Sequence, residues 1–194
     1  MNNIIDCKGL VCPLPVVKVK KHFDSIESGE ATVIVDNLVA KDNIVKLAKG
    51  SGNESIVEEK EGLYFIKITK EKCEAVNEET KESKKFTLLV STDKLGMGDD
   101  KLGDMLMKSY IFALSEADTV PTDLLFINGG VNLTIDTSPV LESLKKLIER
   151  GANILVCGAC LDFYNVKDKL SLGEITNMYT IVELMNSADK TIKL

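Results

Sequence analysis

The stretch "KEKCEAVNEETKESKK", residues 70–85, constrains this chain more than any other. Ten of its sixteen residues are charged, and Val76 is its one sizeable apolar side chain. A segment with so little to bury cannot offset the entropy of ordering itself, so a solvated linker is predicted over 71–85. The 194 residues then divide into two small folding units, 1–70 and 86–194. At 5–6 Å × √n, a tether of that length spans about 20–25 Å. Cys73 inside it reads as an incidental exposed thiol.

Both flanks carry α/β patterns. Before the linker come a short strand at Asn3–Asp6, a helix from Pro13 to Phe23 and a β-branched strand at Glu30–Asp36. A helix over Val39–Lys49, stopped by Gly50-Ser51-Gly52, leads to two strands around the Glu61-Gly62 turn. The order is β-α-β-α-β-β, a two-layer unit. After the linker, FTLLVS (86–91), DLLFING (123–129) and NILVC (153–157) are apolar runs of the kind buried on both sheet faces. The helices between them are predicted over Lys101–Ala117 and from Pro139 to Arg150, the first burying Leu102, Met105, Leu106, Ser109, Phe112 and Ala113. A short helical stretch, a helix at Met178–Ser187 and a strand at Lys190–Leu194 complete a mainly parallel α/β sheet.

Composition removes several function classes. The net charge is −6, the sequence pI about 5.0, and no run of basic residues exceeds two. Direct nucleic-acid binding needs a concentrated positive footprint, and so does an anionic membrane surface. No basic-then-apolar leader opens the chain and no apolar run approaches a membrane span, which predicts a cytoplasmic protein. Five cysteines, an odd number thinly spread, do not make a disulfide scaffold. In a reducing compartment their chemistry is redox, sulfur transfer, metal binding or packing.

Two cysteine sites stand out. Cys12 precedes Pro13 and Pro15 at the mouth of the first helix. Proline fits the first helical turn, and the positive end of the helix dipole favours a thiolate there. Gly9 gives the approach loop backbone freedom. The alternative is a packed cysteine beside two prolines that only punctuate the chain. His22, the sole histidine, lies about 15 Å down the same helix at ~1.5 Å per residue, too far for a Cys/His pair. The second site is Cys157 and Cys160, at the carboxyl end of a predicted parallel strand, where ligand sites of open α/β sheets lie. Such a pair can form a disulfide, pass a sulfane sulfur or supply half a zinc site. With no further ligand cluster, metal binding would need a partner subunit. A thioredoxin-like role fits poorly, because the pair follows a late strand. Gly96, Gly98 and Gly103 do not form a phosphate loop, since no Lys-Ser/Thr follows and Asp99-Asp100 would repel phosphate. Asn128 and Asn132 suit a small ligand or a turn equally well. No cofactor motif is present.

"DCKGLVCPLP" (6–15) resembles the signature of the TusA family of sulfur carriers, Asp-x-x-Gly-x-x-Cys-Pro-x-Pro. The resemblance implies a persulfide-bearing role for Cys12, with Asp6, Gly9, Pro13 and Pro15 in support. Cys7 falls outside the pattern and reads as strand-end packing. "STDKLGMGDDKLGDMLM" (91–107), "NGGVNL" (128–133), "CGACLDFYN" (157–165) and "GEITNMY" (173–179) resemble the DsrE/F-like half of YedF proteins, which fuse the two domain types and are associated with selenium metabolism. The resemblance implies that Cys12 takes sulfur or selenium from a cysteine desulfurase or a selenium-metabolism enzyme, and that Cys157/Cys160 relays it. It further implies a homo-oligomer through the C-terminal domain, and a pocket wall at Asn177, Met178 and Tyr179. A non-catalytic adaptor and a thiol–disulfide redox protein using Cys157/Cys160 are the competing classes.

Overall fold

The computed structural model describes residues 3–11, 13–71 and 84–194. The chain divides into two compact units, Met1–Glu79 and Thr80–Leu194.

The first unit runs β1 (Asn3–Asp6), α1 (Leu14–Asp24), β2 (Gly29–Val35), α2 (Leu38–Gly50), β3 (Glu54–Lys60) and β4 (Leu63–Lys70). Its sheet order is β1-β2-β4-β3, with β1 parallel to β2 and β4 antiparallel to both neighbours. Ala31 and Val33 of β2 lie opposite Ile68 and Ile66 of β4. Alternation therefore puts all four on one face, where they bury against Val19 and Phe23 of α1 and Ile44 and Ala48 of α2. The opposite face is mixed: Ile4 and Ile56 lie exposed there beside polar side chains, and Lys67 pairs with Glu30 at 2.8 Å. Asn37 caps α2, its side-chain oxygen accepting from Ala40 N–H at 2.8 Å.

The start of α1 differs from expectation. The first helical residue is Leu14, with Pro13 as N-cap, although a residue before proline resists helical backbone. The penalty is tolerated in the first turn, where Pro15 has no helical acceptor to leave unpaired.

The second unit contains β5 (Phe86–Val90), α3 (Asp100–Glu116), β6 (Asp123–Phe126), α4 (Leu141–Glu149), β7 (Asn153–Cys157), α5 (Gly158–Phe163), β8 (Glu174–Thr176), α6 (Met178–Ser187) and β9 (Lys190–Lys193). All pairings are parallel, in the order β8-β7-β6-β5-β9. Leu88, Val90, Leu124, Phe126 and Val156 pack on one face with Met107 and Ile111 of α3 and Leu144 and Leu147 of α4. Leu89, Leu125 and Cys157 meet Ile181 of α6 on the other. Each fully buried Leu, Ile or Phe side chain contributes about 1.5–3 kcal/mol.

Three local expectations are corrected here. First, α3 buries Gly103, Met107, Ile111 and Ser115, while Leu102, Met105 and Leu106 of the expected face are 52%, 65% and 42% exposed. The helix carries two neighbouring apolar stripes, and Gly103 selects between them. A Cβ there would lie 3.0 Å from Lys94 Cβ, so glycine lets the 94–95 loop cross the helix this closely without displacement of Lys94. Second, β6 stops at Phe126 and residues Asn128–Leu133 form a 3-10 turn. Third, the sheet gains the edge strand β8, three residues long and too polar to read as a strand.

Candidate functional site

The first candidate site is described through its frame. Cys12 lies outside the described residues, as do Cys73 and most of the charged stretch, 72–83. On either side of Cys12 the chain is well tied. Gly9 takes φ +70, and its N–H donates to Asp36 Oδ2 at 2.7 Å. That bond, reinforced by the Asn37 side chain, holds the Asp36 carboxyl below the usual carboxylate range. Asp6 ends β1. Its side chain accepts from Lys8 N–H at 3.0 Å, which lowers its pKa, and its carbonyl accepts from Lys18 Nζ at 2.8 Å. Lys18 belongs to α1, so the bond fastens the helix to the strand end. Leu14 N–H donates to the Val11 carbonyl at 3.0 Å, and Val17 N–H to the Pro13 carbonyl at 3.1 Å. A cavity of about 280 Å³ opens alongside, lined in part by Leu10, Val11, Pro15 and Val39. Cys7 is 1% exposed inside the first core, where burial pushes its thiol pKa up. It is a packing residue. Sequence spacing did not reveal Asp36, 27 residues from its partner.

The second site is assembled at the carboxyl end of the parallel sheet. Cys157 is the last residue of β7 and the N-cap of α5, and Cys160 lies in the first turn of that helix. The pair opens a short helix, where Gly158 lets the strand turn sharply beneath Ile175. Cys157 is 3% exposed and Cys160 half-buried, so the two thiols are unequal in access. Cys160 Sγ accepts a hydrogen bond from Asn128 N–H at 3.1 Å. Burial pushes the Cys160 thiol pKa up, the hydrogen-bonded Cys157 thiol beside it pushes the same way, and the Asn128 N–H opposes both. Asn128 sits at φ +47, a left-handed conformation that asparagine tolerates, and Tyr164 Oη donates to its side-chain oxygen at 2.7 Å. Tyr164 was not anticipated, whereas the Asn128-Gly129 step was a visible turn signal.

Asn132 bonds to Asp93 at 3.3 Å across a separate cavity of about 290 Å³ that does not contain the thiols. Asn177 caps α6 through Thr180 N–H, and Met178 and Tyr179 are exposed. Among the described residues there is no group of three or more His, Cys, Asp or Glu side chains able to hold a metal ion. None of the described helices is long and apolar enough to cross a membrane.

Such a constellation suits thiol chemistry. One accessible sulfur has a main-chain donor aimed at it, and a second, buried sulfur lies within hydrogen-bond reach. The pair can therefore exchange a sulfane sulfur with an incoming thiol or close on itself as a disulfide.

Comparison with known proteins identifies both parts of the chain. Residues 3–70 match the family model of Sulfurtransferase TusA, and residues 58–194, more than half of the chain, match that of the DsrE/DsrF-like family. The second match reaches back over β4 and the end of β3, which pair within the first sheet. A candidate sulfur carrier protein of Archaeoglobus fulgidus is 36% identical over 72 residues, 34% of this chain and 94% of that protein. YrkI of Bacillus subtilis strain 168, named as a candidate sulfur carrier, is 31% identical over 62 residues, 31% of this chain and 83% of its own length. The crystal structure of a SirA-like protein from Desulfitobacterium hafniense is 38% identical, covering 34% of this chain and 93% of that one, with a TM-score of 0.33. The chain belongs to the DsrE/DsrF-like family and carries ahead of that domain one of the sulfurtransferase TusA type, the arrangement of YedF-like proteins.

Proposed function

We propose that the chain is a sulfur-transfer protein with two thiol stations, Cys12 in the first unit and Cys160, backed by Cys157, in the second. The TusA-type match over 3–70 supports sulfur transfer in general. The observation that carries the two-station reading is the Asn128 N–H held 3.1 Å from Cys160 Sγ, with the Cys157 sulfur alongside. A main-chain donor on a sulfur favours the anion, which is both the nucleophile and the leaving group of persulfide exchange.

In this scheme a cysteine desulfurase or comparable donor loads Cys12, with Asp6, Gly9, Pro13 and Pro15 framing it. The Cys160 thiolate attacks the terminal sulfur of the Cys12 persulfide. The S–S bond to Cys12 breaks, Cys12 leaves as a thiolate, and Cys160 becomes the persulfide; no net oxidation occurs. From there an acceptor thiolate takes the terminal sulfur in the same way. Without an acceptor, the Cys157 thiolate attacks Cys160 Sγ, a Cys157–Cys160 disulfide forms, and hydrosulfide departs with the electron pair. A dithiol reductant then restores the pair. The same steps carry selenium in place of sulfur. The segment 71–85 acts as the tether between domains 1–70 and 86–194, and the cytoplasm keeps the thiols reduced.

Three serine variants test the scheme, with labile sulfur counted after exposure to a desulfurase and cysteine. Cys12→Ser removes loading of both stations. Cys160→Ser leaves Cys12 loaded and the second station empty. Cys157→Ser leaves both stations loaded but stops hydrosulfide release. Wild-type loading in Cys12→Ser would overturn the order of transfer. Reduction of disulfide substrates at full rate without Cys12 or any sulfur donor would favour a thiol–disulfide reductase.

A further inference from the structure

Tyr164, Asn128 and Cys160 close a ring of contacts that reaches beyond the thiol pair. Cys160 and Tyr164 are one helical turn apart, and Tyr164 N–H donates to the Cys160 carbonyl at 3.1 Å. From the end of that turn the phenol hydroxyl reaches Asn128 Oδ1 at 2.7 Å, and Asn128 returns its backbone N–H to Cys160 Sγ at 3.1 Å. Asn128 itself stands at φ +47, as the first residue of the 3-10 turn that follows β6. Asparagine adopts that region at small cost, and the phenol contact on its side chain adds to what holds it there. Gly130, two residues on, is anchored too: its N–H donates to the Ile127 carbonyl at 2.9 Å, and a Cβ on it would fall 2.2 Å from the Val90 carbonyl oxygen. The loop is thus fixed at its far side by packing and at its near side by the tyrosine.

We propose that Tyr164 and Asn128 are positioning residues for Cys160: the phenol hydroxyl locks the Asn128 side chain and so keeps the Asn128 N–H aimed at the sulfur. The consequence is directional. When an acceptor thiolate takes the terminal sulfur from a Cys160 persulfide, the S–S bond breaks and its electron pair comes to rest on Cys160 Sγ. That is where the N–H points, so the donor stabilises the charge that develops as cargo leaves. Cys157, by contrast, caps α5 with its sulfur accepting no hydrogen bond from the helix N–H groups. The pair is therefore asymmetric by construction, with Cys160 as the carrying sulfur and Cys157 as its buried partner and the titratable group acting on it. This role rests on the two-station reading, while the aim of the N–H can be tested apart from it.

The test is the pH profile of alkylation at Cys160, read by fragmenting the peptide that contains it after brief exposure of the full-length protein to iodoacetamide. Tyr164→Phe keeps the ring and its edge contact with Phe163, at 5.2 Å between centroids, and removes only the hydroxyl. The profile is expected to move to higher pH, with alkylation at pH 7 roughly 3–10-fold slower, less than the full loss of a hydrogen bond to a charged sulfur because the N–H is loosened and not removed. Asn128→Gly preserves the backbone conformation and removes the locked side chain, and is expected to shift the profile the same way. The double variant is expected to shift it no further than either single one, because both break the same link. Profiles that superimpose on wild type in both single variants, with melting temperatures unchanged, would overturn the proposal. Labile sulfur on Cys160 is measured in the same samples. Its absence from wild type, with the alkylation shift intact, overturns the two-station function and leaves the positioning role standing.

Discussion

Gly9 and Asp36 show how a single residue far along the chain steadies the loop that precedes Cys12. The carboxylate accepts the Gly9 N–H at 2.7 Å, three residues before Cys12, and that bond depresses its pKa. A carboxyl whose native pKa lies below its unfolded value, about 3.9, stabilises the fold above that value. The stabilisation is lost as pH falls through the depressed native pKa, so the loop loosens only in strong acid and is fully tied at neutral pH. Replacing Asp36 with Ala is expected to slow sulfur loading of Cys12 roughly threefold, the effect of one hydrogen bond, with little change in melting temperature. Loading at the wild-type rate would show that the loop needs no such anchor. Asp6, Gly9, Pro13 and Pro15 could be read from a run of ten residues because their motif is local. Asp36 and Tyr164 could not, since their partners lie 27 and 36 residues away and come together only through strand pairing; Asn128 stood out as a candidate, but its bond to the thiol did not. The Cys157/Cys160 pair was visible in the sequence. Their unequal burial was not, because it depends on α6 covering one face of the sheet.

Among the secondary-structure elements, strands were easier to read than helix faces. The apolar runs of β5, β6 and β7 allow little but a buried parallel strand, and all three pair in parallel. The helix α3 offers two apolar stripes, and periodicity alone cannot say which meets the sheet; the close crossing at Gly103 decides it. The 3-10 turn after β6 likewise depends on one glycine. Gly130→Ala would place a methyl 2.2 Å from the Val90 carbonyl oxygen, whereas a methyl on Gly129 meets nothing nearer than 3.7 Å. The first substitution is expected to destabilise the second unit by about 2–4 kcal/mol, lowering its Tm by roughly 10 °C or more, and the second to be nearly neutral. Thermal unfolding followed by circular dichroism checks both. Equal effects from the two would mean that the turn does not hold its close approach to β5.

On the scale of the whole molecule, two separate cores stand on either side of the charged stretch. The sequence match to the DsrE/DsrF-like family nevertheless begins at 58, inside the first sheet. If pairing within a sheet sets the folding unit, residues 84–194 expressed alone are expected to fold cooperatively, and residues 1–71 likewise. A fragment 84–194 that melts without a transition until 58–83 is restored would place β3 and β4 in the second unit's folding. In the proposed scheme sulfur passes between the two units, and its order in time tests that central claim most directly. The measurement is a time course of peptide mass spectrometry on the reduced full-length protein after a pulse of cysteine desulfurase and cysteine. An added sulfur is expected first on the Cys12 peptide and then on the Cys157–Cys160 peptide, at Cys160, as the first declines. Sulfur that stays on Cys12 without reaching Cys160, or that reaches Cys160 while Cys12 is never modified, would contradict the relay.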